Sequence, residues 1–371
     1  MRSQGATQPA QSARPADGEA PLPELYADLG QANIQALWTQ AEDLMPRSPA
    51  PRAVPWLWRW DTVLALAGRA GQAVPIGRGG ERRALALANP GLAGLPFATG
   101  TLWGAIQYLN PRESAPAHRH SSAAIRFVLQ GQGVWTTVDG EACPMARGDL
   151  VLTPSMTWHE HHSGSDEPMA WFDGLDLPLV NALDASFFEP AAAGYLDAGR
   201  AAPARSRSAA LYAHPGLVPS AAPATGRHSP LLVYRREHTA RALAEMAEAT
   251  GQGDAELRFA DPVHGRDALP TMRCAMRRLA AGTRTPTTRS VGSSIIVVFA
   301  GRGTSVIDGT AFRWGPGDVL AVPSWCAVDH EPAETAELFV LSDAPVLEAL
   351  RLDRTEVLNQ PQAVTGAWSG G

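Results

Sequence analysis

The 371-residue chain contains no lysine; all 31 of its basic residues are arginine. That absence excludes a lysine Schiff base, and with it pyridoxal-phosphate or aldolase chemistry of that kind. Cysteine is scarce. Cys143, Cys274 and Cys326 are far apart and form no CxxC. Neither a disulfide framework nor a thiolate-bound zinc is expected, and a reducing cytoplasm is the simplest compartment. No apolar run approaches the ~18 residues of a membrane-spanning helix, and the first residues lack the apolar core of a signal peptide. No membrane partner is expected. With a formal net charge of −6 and no basic block, the chain offers nucleic acid no electrostatic footprint.

Histidine is also sparse, but part of it is organised. Pro116-Ala117-His118-Arg119-His120 places two histidines one residue apart, so both side chains leave the same face of a β-strand. His159, in Trp158-His159-Glu160-His161, comes much later and could complete a set of three imidazoles on one metal. Imidazole suits iron, zinc, copper or nickel, and three protein ligands leave positions open for water, substrate or dioxygen. His214, His228, His238 and His264 are scattered and form no such spacing.

Around this motif the pattern predicts a mainly β protein. Short stretches broken by Gly, Pro, Asn and Asp read as strands over Trp103–Leu109, Ala124–Leu129, Gly133–Val138, Leu150–Leu152 and Met169–Asp173, as in a barrel or sandwich. Helical spacing of apolar residues predicts helices over Glu24–Met45, from an N-cap at Asp61 to about Gly68, over Thr239–Glu248, and over Asp343–Leu352. Three arginines fall within Gly77-Arg78-Gly79-Gly80-Glu81-Arg82-Arg83. This loop has neither dinucleotide-binding nor Walker order. It reads either as a solvated loop or as one delivering Arg78 and Arg82 to a substrate carboxylate.

The barrel pattern occurs twice. Gly317-Asp318-Val319-Leu320-Ala321-Val322-Pro323-Ser324 repeats Gly148-Asp149-Leu150-Val151-Leu152-Thr153-Pro154-Ser155, and Val306-Ile307-Asp308-Gly309 repeats Thr137-Val138-Asp139-Gly140. The offset stays at 169 to 170 residues, as duplication would leave it. In the second copy Thr288, Ser290 and Val328 stand where the first has His118, His120 and His159, while His330 matches His161. Core packing does not demand imidazoles in one copy only, so the first barrel is expected to hold a metal and the second none. The expected organisation is a mobile tail (1–23), a helical arm (24–95), a metal-bearing barrel (96–190), a linker with a helix (191–265), a metal-free barrel (266–345), and a terminal helix and tail (346–371).

HxH, a glycine-bounded hairpin, GDxxxxP and a later histidine together resemble the cupin signature. The bicupin form, two jelly-roll barrels with helical N-terminal and linker segments, resembles the ring-cleaving dioxygenases of gentisate, salicylate and 1-hydroxy-2-naphthoate. Further motifs carry the likeness, including Gly77–Leu85, Asn89-Pro90-Gly91, Arg126-Phe127-Val128 and Ser342-Asp343-Ala344-Pro345. The commonest cupin pattern puts a glutamate ligand about four residues after the second histidine; position 124 here is Ala. The resemblance implies Fe(II) held by His118, His120 and His159, a small aromatic 2-hydroxy acid and O2 as reactants, and a homotetramer. It implies Arg78, Arg82 and Arg126 as partners of the substrate carboxylate, His161 as a hydrogen-bonding or proton-moving group, and Asp173 as a polar contact. Trp103, Ala105 and Gln107, on one strand face, are expected to line the ring pocket. Ala105, in place of Gly, narrows that wall and favours gentisate, opened to maleylpyruvate, over salicylates and 1-hydroxy-2-naphthoate. A non-catalytic metal-binding bicupin is the alternative from another class.

Overall fold

Stretches such as Ala124–Gln130 and Gln132–Val138 combine β-branched and aromatic residues with a glycine between them. Each forms a strand, and Gly131 makes the turn at φ 92°. A Cβ there would sit 2.8 Å from the Pro168 carbonyl oxygen, so only glycine fits. In the computed structural model, residues 22–76, 83–192, 205–221 and 226–370 are described. They fall into two units that divide between Ala50 and Pro51. No helix among the described residues is long and apolar enough to cross a membrane.

In the first unit the sequence pattern predicts one helix from Glu24 to Met45, but the structure breaks it. An α-helix spans Leu22–Gln31, a 3-10 turn Leu37–Thr39 and a short helix Ala41–Leu44. Asn33 takes φ 53° between them, a left-handed conformation that ends a helix. Of the expected tail, residues up to 21 lie outside those described.

The second unit holds two barrels, each made of two facing sheets. In the first barrel one sheet runs Val233–Tyr234, Leu150–Thr153, Ala124–Gln130, Met169–Leu175, Trp103–Leu109, Ala84–Ala86. The other runs Phe188–Pro190, Ser114–His120, His159–Ser163, Gln132–Val138, Glu141–Ala146. The second barrel repeats this order from Trp56–Trp58 to Ala255–Arg258 and from Thr355–Val357 to Thr310–Trp314, with Gly366–Ala367 as an additional edge strand. Register repeats as well: His118 lies opposite His159, and Thr288 opposite Val328.

The duplication extends beyond the barrel motifs, in crossed form. Trp56–Trp58 adds an edge strand to the second barrel, and Val233–Tyr234 adds one to the first. Each is followed by an arginine and a helix, Trp60–Ala73 or Arg236–Thr250. The aspartate of each GD motif caps that helix. Asp318 accepts from Trp60 N at 2.8 Å and from Arg59 at 2.9 Å; Asp149 accepts from Arg236 N at 2.8 Å and from Arg235 at 2.6 Å. The expected cap at Asp61 is therefore corrected: Arg59 is the N-cap position and the capping carboxylate arrives from the second barrel. That helix also runs past Gly68, because glycine at 71 lets it close on Tyr108 and Asn110.

Where the barrels meet, Phe127 stacks on Phe339 with centroids 4.2 Å apart and planes 9° apart, and Phe299 meets Phe127 edge-on at 5.5 Å. Burial of such rings contributes ~25 cal/mol per Å² of apolar surface. One continuous apolar cluster joins the two barrels.

Candidate metal centre and its cavity

Alternation along the Ser114–His120 strand sends His118 and His120 to one face, and pairing with the His159–Ser163 strand sets His159 directly across from His118. The rings lie 4.3 Å (His118–His159), 4.9 Å (His120–His159) and 5.8 Å (His118–His120) apart between centroids. One nitrogen from each comes within 4.8 Å of the others, and among the described residues this is the one such group of three or more potential ligands. No carboxylate joins it. Ala124 instead lines the cavity beside the histidines.

Each Nδ1 faces a backbone carbonyl: His118 that of Pro116 at 3.1 Å, His120 that of Ser122 at 2.7 Å, and His159 that of Thr157 at 3.0 Å. Such outer hydrogen bonds orient imidazole ligands and fix their tautomer. His159 Nε2 is fully buried with no hydrogen-bond partner, an arrangement costly in a protein unless something occupies the position. Burial, then the charge of Arg126, holds His159 well below the usual imidazole range, which keeps its lone pair available. A neutral three-nitrogen donor set with a buried, orphaned lone pair fits a divalent transition metal.

The cavity above the triad encloses about 470 Å³, ample for a single aromatic ring with its substituents. Trp103, Gln107, Arg126, His161 and Asp173 line it together with His118 and His120. Arg126 is buried; it donates to Thr153 Oγ1, and its Nε lies 3.7 Å from Asp173 Oδ1. Asp173 also accepts from the Trp171 indole at 2.9 Å. Burial nevertheless raises Asp173 to about 6, against the opposing pull of Arg126 and Trp171. His161 faces Thr136 Oγ1 at 2.9 Å and packs on Trp171 with ring centroids 5.4 Å apart. Burial, then Arg126, holds it well below the usual range.

Two expectations about this pocket need restating. Ala105 shares its strand face with Trp103 and Gln107, but it is wholly buried and does not reach the cavity wall. Arg78 and Arg82 lie outside the described residues. Arg83, next to them, pairs with Glu113 and donates to the carbonyls of Val74 and Tyr108, so it is a structural clamp. Sequence reasoning missed the outer rim: Phe187, Phe188, Leu175, Leu177 and Asn181. Phe188 stacks on His118 at 5.3 Å, carried by a short edge strand paired to the histidine strand. Its adjacent aromatic pair was the signal available.

Residues 105–175 match a family model described as a cupin domain. A gentisate 1,2-dioxygenase from Streptomyces sp is 54% identical over 342 residues, covering 90% of this chain and 95% of that one. A 5-aminosalicylate 1,2-dioxygenase from Comamonas sp is 36% identical over 357 residues, 93% of each. The crystal structure of a salicylate 1,2-dioxygenase from Pseudoaminobacter salicylatoxidans, as an adduct with gentisate, superposes with a TM-score of 0.90. It is 44% identical, with 95% of this chain and 97% of that chain covered. Duplicated barrels, a histidine triad in one of them only, and these likenesses lead to one conclusion: the chain belongs to the bicupin family of ring-cleaving dioxygenases that includes the gentisate and salicylate 1,2-dioxygenases.

Proposed function

We propose that this enzyme is an Fe(II)-dependent dioxygenase that adds both atoms of O2 to gentisate (2,5-dihydroxybenzoate). The ring opens between its carboxyl-bearing and hydroxyl-bearing carbons, giving maleylpyruvate. The observation that carries this reading is the all-imidazole triad facing a ring-sized cavity with buried Arg126 in its wall. His118, His120 and His159 hold the iron, which when bound supplies the electron transfer that lets dioxygen react with the ring. Arg126 neutralises the substrate carboxylate through charge-assisted hydrogen bonds. From the sequence alone, Arg78 and Arg82 are assigned to the same anion. Trp103 and Gln107 flank the ring, Ala105 backs that wall, Asp173 holds Arg126 in place, and His161 hydrogen-bonds the oxygenated end of the substrate.

Salicylates and 1-hydroxy-2-naphthoate form the second reading. Likeness to a salicylate 1,2-dioxygenase supports it, since these acids share the chelating carboxylate and hydroxyl and differ only at remote ring carbons. A homotetramer is part of the proposal; Leu37, Trp38, Leu44 and Met45 are each more than half exposed on the single chain, as an assembling surface would be. Three free, buried cysteines suit a cytoplasmic setting.

Oxygen uptake by anaerobically purified, Fe(II)-loaded protein tests the assignment. Gentisate, salicylate and 1-hydroxy-2-naphthoate are offered in parallel, with His118→Ala as the blank. Uptake with gentisate alone, lost in the variant, supports the first reading, and uptake with salicylate as well supports the second. Stoichiometric iron without uptake on any of them leaves a metal-binding bicupin that is not this dioxygenase.

A further inference from the structure

Two kinds of partner hold the four histidines of the cavity, and the difference decides where each imidazole carries its proton. A backbone carbonyl can only accept. His118, His120 and His159 each turn Nδ1 to a carbonyl oxygen, so the hydrogen sits on Nδ1 and the lone pair on Nε2. His161 Nδ1 instead faces a hydroxyl, that of Thr136, directly across the strand ladder. A hydroxyl has one hydrogen to give. Two acceptors lie within reach of this one: His161 Nδ1 at 2.9 Å and the Met145 thioether at 3.1 Å. Imidazole nitrogen is the stronger acceptor, and thioether sulfur a weak one.

We propose that Thr136 donates its hydrogen to His161 Nδ1 and so holds His161 in the tautomer opposite to that of the triad. The proton then sits on Nε2, and His161 meets the substrate or dioxygen as a fixed hydrogen-bond donor rather than as a metal ligand or proton acceptor. Thr136 is a positioning residue, since it acts through His161. The proposal rests on reading His118, His120 and His159 as the metal ligands.

The second barrel provides an internal control. His330 Nδ1 lies 2.7 Å from Ser305 Oγ, at the equivalent ladder pair. Trp314 Nε1 donates to the same oxygen at 2.9 Å. Among the described hydrogen bonds, His330 Nδ1 is the one acceptor for the Ser305 hydrogen. If Nδ1 were protonated, a buried O–H would be left unpaired, which is costly. The hydroxyl-to-imidazole direction is therefore set in a barrel that has Thr288, Ser290 and Val328 in place of the triad. Duplication supplied the pairing to both barrels, and in the first it faces a cavity. His161 lines that cavity.

The tautomer can be read without turnover, by ¹⁵N–¹H correlation of histidine-labelled protein loaded with diamagnetic Zn(II). His161 is assigned by the signal lost in His161→Gln. The expected result is a proton on Nε2 of His161 and on Nδ1 of the triad, with Thr136→Ser and Met145→Leu unchanged and Thr136→Val shifted. A proton on Nδ1 of His161 in the parent protein overturns the proposal, whatever the variants do. In the Fe(II) enzyme, Thr136→Val is expected to lower kcat on the order of tenfold with a smaller change in KM, and Thr136→Ser to restore it. Unchanged kcat in a folded Thr136→Val removes the catalytic role. Failure of the underlying reading looks different: zinc would not bind at one ion per chain, or gentisate would draw no oxygen although the tautomer stands.

Discussion

Gly174→Ala tests how the second barrel supports the first. A Cβ at position 174 would lie 2.3 Å from Leu341 Cδ2, 3.2 Å from Ile125 Cγ1 and 3.2 Å from a Phe172 ring carbon. All three neighbours are fully buried, and Leu341 belongs to the second barrel. Carbon atoms pack at ~3.5–4.0 Å, so Leu341 or the Met169–Leu175 strand must shift by more than an ångström, roughly. Overpacking of this kind costs about 1–3 kcal/mol, and each kcal/mol corresponds to ~2–4 °C in Tm for a large domain. Asp173 and Gly174 leave opposite faces of their strand, so stability is expected to fall more than oxygen uptake. Urea denaturation followed by circular dichroism measures the loss. Leu341→Ala alone should cost ~2–5 kcal/mol by leaving a cavity, but in that background Gly174→Ala should add almost nothing, because its methyl enters the vacated space. A cost for Gly174→Ala that is the same in both backgrounds would refute the reasoning.

Other perturbations carry equally definite expectations. Burial, aided by Arg277, holds His330 down to about 3, against ~6.5 for an unfolded histidine. Between those values the unfolded chain binds more protons, so His330's contribution is complete above pH ~6.5 and is lost as pH falls, at up to about 1.4 kcal/mol per unit. Urea midpoints measured from pH 7.5 to 5 should therefore decline less steeply in His330→Gln; parallel profiles would count against a buried neutral imidazole. Asp318→Asn weakens the carboxylate acceptor at Trp60 N and leaves Arg59 without its charge partner, with an expected loss of ~1–2 kcal/mol by calorimetry. An unchanged Tm would mean the cap contributes nothing. Arg126→Met should raise KM for gentisate at least tenfold, on the order expected for a buried charge-assisted contact, with iron content unchanged. Loss of iron instead would move Arg126 from substrate binding to support of the triad.

Local pattern made the site legible because its chemistry is repetitive. Two histidines one residue apart share a strand face wherever that strand lies, and the constant offset between copies exposed which histidines the barrel alone does not require. Helix ends were less legible. Asp61 has the residue type of a cap, yet the group that caps is Asp318, distant in sequence. The crossed arms escaped notice because Trp58-Arg59-Trp60 and Tyr234-Arg235-Arg236 share little beyond one arginine. Phe187 and Phe188 gave no periodic signal: Phe188 opens a three-residue edge strand and Phe187 lies just before it.

Sequence by itself determined the duplicated β architecture, the identity of the triad and its replacement by Thr288, Ser290 and Val328 in the second copy, since strand alternation and donor chemistry are local properties. Tertiary structure decided which atoms face one another. It placed His159 opposite His118, buried Ala105 away from the cavity lining and stacked Phe188 on His118. It also gave His161 a hydroxyl partner where the triad has carbonyls. The physical reason is that ladder register and sheet packing join residues far apart in the chain, and the direction of a hydrogen bond depends on the partner that register supplies.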